Sequence, residues 1–343
     1  MNTAYFLGAN SKCGFYSLYS GFCTAPGDYL TVVKGTPGSG KSGFMRKIGT
    51  AAEARGLDTE YILCSGDPDS LDGVYIPSMR RGWVDGTAPH VIEPRRVGVD
   101  GDYVNFAAFC SLPFDTLRRG CVSRLYESYK AEYSAAYGYL AAAAHLESTN
   151  SSSISTHAEV ELRQRVRSII KRRSSKGGNG RGRIIERFMH AISCKGELYL
   201  SGELEKLCKS IYSIDGSDGC ASAALSVICE EAARAGGNCI LCRAPLDPAK
   251  IDALLIPDWS LGFICGGYDI AGAKKLELTS KDGACCAQSE DTEAMHGELL
   301  SRALARLNTA KALHDELEEY YKLQMDFPAL TEYTENYIEL LFS

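Results

Sequence analysis

Apolar residues near the amino end follow the alternation of buried strands and helices. The run Tyr29–Lys34 is rich in β-branched residues and predicts a buried strand. A helical spacing follows, carried by Phe44, Met45, Ile48, Ala51 and Ala52. Gly56 marks the predicted end of that helix, and Glu60–Cys64 predicts a second strand. Tyr29–Cys64 therefore predicts a βαβ unit with a parallel pair of strands.

The pattern then changes to long amphipathic helices. Apolar residues recur every three or four positions over 117–146 and again over 300–320, so each segment predicts a long helix. A basic helix is predicted over 158–173, and a last helix after the break at Pro328. Residues 148–155 predict a polar loop, and the glycine-rich run 174–182 predicts a linker. Gly82–Asp85 indicates one more short strand.

The two halves of the chain resemble each other. Phe6–Gly14 aligns with Phe188–Gly196, and Ile62–Cys64 is matched with Ile240–Cys242. Further pairs follow a shift of 180 positions, namely Gly56 with Gly236, Asp67-Pro68 with Asp247-Pro248, Asp72 with Asp252, and Ile76-Pro77 with Ile256-Pro257. Internal duplication of one α/β unit is therefore predicted.

A glycine-rich loop directly follows the first predicted strand. Its residues satisfy the P-loop pattern: Gly35, Thr36, Pro37, Gly38, Ser39, Gly40, Lys41, Ser42 and Gly43. Such glycines let successive backbone N–H groups curl around a phosphate, and the helix that follows adds the positive end of its dipole. Lys41 would contact the β- and γ-phosphates of ATP, and the Ser42 hydroxyl would ligate Mg²⁺.

A second metal ligand is expected at the end of a neighbouring strand. Asp85 and Asp67 are the two candidates. At the corresponding place the second half carries Asp215–Ser222, where Ala221 stands opposite Lys41 and Cys265 opposite Asp85, while Asp247 retains the acid of Asp67. The shared loss of lysine and acid favours Asp85 as the magnesium ligand. His90 is a candidate catalytic or γ-phosphate-sensing residue.

Composition narrows the function classes. The net charge of −6 and pI near 5.6 argue against a chain that binds nucleic acid over its whole surface. The segment 161–187 is locally basic, so nucleic acid is a candidate partner for this part of the chain. A solvated helix and hinge explains the basic residues better. No run of apolar residues is long enough to predict a membrane-spanning helix. The fourteen cysteines, without an apolar cleavable leader, predict reduced thiols and a cytoplasmic location.

Several motifs resemble an uncharacterised family of bacterial tandem P-loop ATPases. The motifs are Gly14–Ser17, Gly35–Ser42, Cys64 with Asp67, Ser70–Gly73, Ile76-Pro77, Asp85–His90, Tyr139–Ala142, Asp247-Pro248, Ile256-Pro257, His314–Tyr321 and Asp326-Phe327. The resemblance implies ATP binding and hydrolysis over nearly the whole chain. Members usually carry competent loops in both halves, and this chain departs from them at Asp215–Ser222.

The resulting fold prediction is an α/β protein with tandem P-loop NTPase-like units, parallel sheets and long helical extensions. The predicted domains are 1–115 with the intact loop, 116–175 as helical extension and linker, 176–287 as degenerate repeat, and 288–343 as C-terminal extension. The predicted activity is Mg²⁺-dependent ATP hydrolysis with Lys41, Asp85 and His90 as catalytic residues, together with a homo-oligomer or protein partner. A phosphotransferase, a nucleotide-dependent switch or scaffold, and a nucleic-acid-stimulated motor are the alternatives.

Overall fold

The chain is an α/β protein with two six-stranded sheets, each mixed but mostly parallel. This confirms the predicted α/β class, but the sheets were predicted as parallel and are mixed, because β-hairpin-like connections on both sides of one strand reverse its direction. The structure, a computed structural model, describes residues 2–148, 154–173, 180–215, 218–278 and 290–343. Much of the predicted loop at 148–155 and of the predicted linker at 174–182 lies outside the described residues.

The first half contains one sheet, one hairpin and three helices. Its elements are β1 (Thr3–Phe6), β2 (Gly8–Ser11), β3 (Gly14–Ser17), β4 (Tyr29–Lys34), α1 (Lys41–Glu53), β5 (Glu60–Leu63), β6 (Leu71–Ile76), β7 (Arg81–Asp85), β8 (Gly101–Asn105), α2 (Thr116–Ser148) and α3 (Thr156–Arg173).

The second half repeats this series with one additional short helix. Its elements are β9 (Ile184–Arg187), β10 (His190–Ser193), β11 (Gly196–Tyr199), α4 (Ser201–Leu207), β12 (Ser210–Asp215), α5 (Asp218–Arg234), β13 (Cys239–Arg243), β14 (Ile251–Ile256), β15 (Leu261–Ile264), β16 (Lys274–Glu277), α6 (Glu290–Lys322) and α7 (Phe327–Phe342).

The two sheets have the same strand order. The first runs β1-β5-β6-β7-β4-β8 and the second runs β9-β13-β14-β15-β12-β16. In each sheet only the third strand, β6 or β14, is antiparallel to its neighbours. The sequence duplication is therefore a duplication of topology.

The predicted strand pairing needs one correction. β4 and β5 point the same way, but β7 and β6 lie between them, so they do not pair. A helical connection fixes the direction of the next strand in a sheet, whereas its neighbours depend on the rest of the chain. The strand at Gly82–Asp85, predicted only as a short one, is β7 and pairs directly with β4.

The alignment of the halves also needs a correction at one point. Leu63 pairs with Leu71 in the first sheet, and Arg243 pairs with Ile251 in the second, so this region follows a shift of 180. Cys242 is consequently equivalent to Ile62, and the match of Ile62–Cys64 with Ile240–Cys242 is wrong by two positions. By contrast, the alignment of Phe6 with Phe188 is confirmed, because Phe6 is the last residue of the edge strand β1 and Phe188 directly follows the edge strand β9.

The two long helices α2 and α6 pack against each other as an antiparallel pair. Arg306 of α6 pairs with Glu132 near the middle of α2, and the rings of Phe114 and Tyr321 lie 5.1 Å apart at one end. His296 contacts Glu147 at the other end, with Nε2 and Oε1 3.0 Å apart. Ala136, Leu140, Ala303 and Leu307 are buried in a shared cluster, so the predicted apolar stripes serve as helix-packing faces.

The shorter helices that follow this pair are exchanged between the halves. α3 buries Leu162, Val166, Ile169 and Ile170 in the core of the second half, against α5. The C-terminal helix α7 packs against α1 in the core of the first half, where Trp83 Nε1 donates to Tyr337 Oη at 2.9 Å. The helix predicted at 158–173 is thus packed on the other half and is not a solvated hinge. No helix within the described ranges is long and apolar enough to cross a membrane.

Candidate functional site

The loop after β4 curls through two left-handed glycines before α1 begins. Gly38 has φ of 68° and Gly40 has φ of 88°, values that disfavour a side chain with a Cβ. Gly40 is the N-cap residue of α1, so the first free N–H groups of the helix face the loop. The buried Thr36 Oγ1 has no hydrogen-bond partner among the described residues. The loop therefore offers unused polar groups together with a helix dipole.

Lys41 places its ammonium group inside this loop. Nζ donates to the carbonyl oxygens of Thr36 at 2.9 Å and Gly35 at 3.3 Å. It also lies 3.6 Å from Oδ2 of Asp85, and the lysine is 8% exposed. A buried ammonium is costly unless it is paired, and these three oxygens compensate it. Strands β4 and β7 bring lysine and carboxylate together because they are adjacent and parallel.

Ser42 and Asp85 lie at the same edge of the sheet. The Ser42 hydroxyl accepts the backbone N–H of Leu71 at 2.9 Å, which ties α1 to the start of β6. Asp85 Oδ1 accepts the backbone N–H and the hydroxyl of Thr87 at 2.8 and 2.6 Å. These two bonds orient the carboxylate and leave Oδ2 toward Lys41.

Asp67 has a different environment. Its Oδ2 lies 3.5 Å from Nζ of Lys311 on α6, and its side chain is 27% exposed against 15% for Asp85. Its carbonyl oxygen accepts the backbone N–H of Ser70 in the turn between β5 and β6. The described contacts thus pair Asp85 with Lys41, and Asp67 with the helical extension.

The carboxyl-terminal helices cover the loop from outside. A Cβ at Gly38 would lie 3.1 Å from both Cβ and the carbonyl oxygen of Glu318 on α6, and 3.1 Å from Cγ of Lys322. At Gly40 it would lie 3.2 Å from Cδ2 of Leu330 on α7. The last residues of the chain therefore complete the site of the first half. Burial lowers the pKa of His314, and the nearby Lys41 acts in the same direction, although Glu318 opposes them.

His90 lies in a buried cluster beside the loop and has no hydrogen bond to Lys41 or Ser42. Its Nε2 is 3.2 Å from Oδ2 of Asp72, and that same oxygen accepts the Tyr19 hydroxyl at 2.7 Å. The rings of Phe15 and Tyr19 pack on the imidazole, with centroids 5.0 and 4.8 Å away. Burial raises the pKa of Asp72, although His90 acts in the opposite direction.

A β-bulge turns Asp72 into the protein interior. Ile62 pairs with Gly73 and Leu63 pairs with Leu71, so Asp72 is the extra residue of β6. The second half has the same bulge at Asp252, because Cys242 pairs with Ala253 and Arg243 with Ile251. The aligned acids at 72 and 252 were the sequence signal for this cluster.

The second half has a shorter connection between the strand and the helix that correspond to β4 and α1. β12 ends at Asp215 and α5 already begins at Asp218, whereas Gly35–Gly40 separate β4 from α1. Residues 216 and 217 lie outside the described residues. The Ser222 hydroxyl accepts the backbone N–H of Ile251 at 2.9 Å, just as Ser42 accepts that of Leu71. Ser222 is therefore equivalent to Ser42, and Ala221 stands in the place of Lys41.

The second half instead has a cavity of about 190 Å³ at the corresponding edge of its sheet. His190 Nδ1 lies 3.7 Å from Asp252 Oδ2, and Nε2 lies 3.3 Å from Glu197. Burial opposes protonation of His190, but Asp252 and Glu197 outweigh it and raise its pKa. α2 and α6 contribute Glu147 and His296 to the lining.

The chain matches no protein family model, and no curated protein or solved structure matches it. The resemblance to tandem P-loop ATPases therefore stays a prediction.

Two arginines of the basic segment on α3 pair with acids of α5. Arg163 and Arg167 both pair with the buried Glu231, at 2.8 and 2.7 Å. Glu159 and Glu230 also accept from Arg163. These arginines attach the exchanged helix to the second half, so they are not available as a free phosphate-binding surface.

The sequence assigned no role at this edge to three further residues, of which His314 and Glu318 appear only within the motif His314–Tyr321 and Tyr19 appears in no motif. Tyr19, His314 and Glu318 come from distant segments, and each reaches the edge of the first sheet only through tertiary packing.

Proposed function

We propose that the first half binds ATP with Mg²⁺ at the loop Gly35–Gly43 and hydrolyses it. The observation that carries the proposal is the position of Lys41. Its buried ammonium lies at the amino end of α1, inside a glycine loop and 3.6 Å from the carboxylate of Asp85. Lysine, helix N-terminus and strand-end acid form the combination that phosphoryl transfer requires.

The residues present fit a triphosphate. Lys41 Nζ is held by two loop carbonyl groups, and a phosphate oxygen would be a stronger partner for a cation than a neutral carbonyl. The unused Thr36 hydroxyl and the N–H groups at the start of α1 would add donors. Backbone N–H groups of Gly38, Gly40 and Lys41 would surround the phosphates.

Ser42 and Asp85 would hold the magnesium ion, which neutralises the charge of the phosphates when bound. The hydrogen bonds from Thr87 orient Asp85 before any ligand arrives. Lys41 would stabilise the charge that develops on the transferred group. α6 and α7 pack against one side of the loop.

The second half would have a regulatory or structural role, because Ala221 replaces the lysine and Cys265 replaces the acid. It provides helices α6 and α7, which complete the site of the first half. A movement of the second half would therefore shift α6 and α7 against the loop Gly35–Gly43.

The test is steady-state phosphate release by the full chain and by Lys41→Ala, each with ATP and with GTP. We expect Lys41→Ala to reduce release by about 100-fold or more. Lys47→Ala is the matched control, since Lys47 is an exposed lysine of the same helix. Equal release by the wild type and Lys41→Ala would contradict the proposal. If the chain binds ATP but releases no phosphate, the function would be that of a nucleotide-dependent switch and not that of a hydrolase.

A further inference from the structure

Three side chains beside the loop form a cluster of metal-ligand type. Cys64, Asp72 and His90 each offer one ligand atom, and these atoms all lie within 4.8 Å of one another. Cys64 directly follows β5, Asp72 is the bulge residue of β6, and His90 lies in the segment after β7. Three separate segments of the first half thus bring their side chains together in the protein interior.

We propose that Cys64, Asp72 and His90 bind a thiophilic divalent cation of the Zn²⁺ type. Thiolate, imidazole and carboxylate together suit Zn²⁺, whereas Mg²⁺ prefers oxygen ligands alone. The site is therefore distinct in chemistry from the magnesium site at Ser42 and Asp85, and it does not depend on nucleotide binding.

The distances are compatible with this ion. Zinc bonds of about 2.0 to 2.3 Å in a tetrahedron put neighbouring ligand atoms about 3.3 to 3.8 Å apart. His90 Nε2 and Asp72 Oδ2 are 3.2 Å apart, and the largest separation in the cluster is no more than 4.8 Å. Side-chain adjustments of about 1 Å would complete the coordination. The Cys64 thiol would release its proton to the solvent as the metal–sulfur bond forms.

The surroundings hold the ligands in place. Tyr19 donates its hydroxyl to Asp72, and the rings of Phe15 and Tyr19 fix the imidazole. Such supporting contacts are typical of metal sites. Asp72 and His90 are both buried, and His90 Nδ1 has no hydrogen-bond partner among the described residues. The hydrogen-bonding capacity of the imidazole is therefore not used up within the cluster.

The second half shows what the fold looks like without the cysteine of this cluster. The backbone N–H of Cys64 donates to Ser70, and that of Ala244 donates to Lys250, so Ala244 occupies the position of Cys64. The fold accepts alanine there. Because the sulfur ligand is present only in the first half, we expect one ion per chain. Three protein ligands leave one tetrahedral position open, as in catalytic zinc sites.

The experiment titrates the full chain, stripped of metal with a chelator, with Co²⁺ as a spectroscopic substitute for Zn²⁺. The wild type should bind one equivalent and show thiolate-to-cobalt charge-transfer absorption. Cys64→Ala should lose this absorption, and His90→Gln should weaken binding by about 100-fold. Cys110→Ser is the control for the many other thiols, because Cys110 is likewise partly buried, and it should bind as the wild type does.

The proposal is overturned if Cys64→Ala binds Co²⁺ with the same absorption, or if Cys110→Ser loses as much as Cys64→Ala. Thermal unfolding gives a second measurement. Zn²⁺ should raise the Tm of the wild type but not that of Cys64→Ala. Lys41→Ala should keep full Co²⁺ binding, so that failure of the ATP proposal and failure of the metal proposal are distinguishable. If Cys64→Ala does not fold, His90→Gln provides the same comparison, and unchanged Co²⁺ affinity in it overturns the proposal.

Discussion

Phe6 and Phe188 occupy the same place in the two halves, and each donates its backbone N–H to the carbonyl oxygen of the other at 2.9 Å. A second reciprocal pair supports the relation. The N–H of Lys12 donates to Leu246 at 2.9 Å, and that of Cys194 donates to Gly66 at 3.3 Å. Equivalent residues that bond each other in this way indicate a pseudo-two-fold relation between the halves.

This relation explains why the helices are exchanged. The antiparallel pair of α2 and α6 spans both halves, so each chain segment that leaves the pair emerges beside the other half. α3 then packs on the second core and α7 on the first. The glycine loop of the first half and the cavity of the second half consequently share the helix pair, with Glu318 of α6 at the loop and Glu147 of α2 at the cavity.

Replacement of the two candidate magnesium ligands should give unequal results. Asp85→Asn removes the carboxylate beside Lys41 and should reduce Mg²⁺-dependent phosphate release by about 100-fold or more. Asp67→Asn should change it by less than about 3-fold, because surface ion pairs such as that with Lys311 contribute little. Phosphate release over a Mg²⁺ titration is the measurement. A larger loss with Asp67→Asn would reverse the assignment.

The equivalent residues Ser42 and Ser222 provide a pair of variants that should lose the same amount of stability. Ser42→Ala and Ser222→Ala each leave a backbone N–H without its acceptor, so each should lower the free energy of unfolding by about 1 to 3 kcal/mol. Only Ser42→Ala should also abolish phosphate release. Denaturant unfolding and phosphate release measure the two effects. Equal loss of activity in both variants would mean that Ser42 has no special role.

The glycines of the loop and helix should differ in their tolerance of alanine. Gly38→Ala places a Cβ against Glu318 at a positive φ, so it should cost about 1 to 2 kcal/mol and weaken ATP binding. Gly43→Ala has open space in α1, and it should be neutral or stabilise by about 0.5 to 1 kcal/mol. Calorimetric ATP titration and thermal unfolding test both variants. Unaltered ATP affinity in Gly38→Ala would show that the loop does not hold the phosphates.

The stability of the protein should depend on the protonation of His190. Asp252 and Glu197 raise its pKa against the effect of burial, so the folded state favours the protonated form. Its contribution is fully present below the unfolded pKa of about 6.5 and is lost as the pH rises through the raised pKa. Glu147 and His296 also face Glu197, and Tyr199 stacks on the imidazole with centroids 3.8 Å apart.

We therefore expect the free energy of unfolding to fall as the pH rises above about 6.5, and to fall less in His190→Gln. His157→Gln is the control for the loss of a histidine as such, because that side chain is exposed on α3. Denaturant unfolding at several pH values measures the difference. An identical slope in the wild type and His190→Gln would contradict this prediction.

Much of the local structure could be predicted because it depends on neighbouring residues. The β-branched run predicts β4, the spacing of Phe44 and Ile48 predicts α1, and the stripes predict α2 and α6. The loop motif places Lys41 and Ser42 between strand and helix without any tertiary information. The sequence favours Asp85 over Asp67 as the neighbouring acid, and the pairing of β4 with β7 brings Asp85 to Lys41.

The amino-acid sequence by itself determined the α/β elements, the duplication and the residues of the glycine loop, since each depends on periodicity or on a short contiguous motif. Only the tertiary structure decided the strand order, the exchange of α3 and α7, and the meeting of Cys64, Asp72 and His90. The physical reason is that these contacts join segments far apart in the chain. The chain has many apolar faces, and the faces that pack together are those that bury the most apolar surface in the molecule as a whole. No local sequence pattern contains that information.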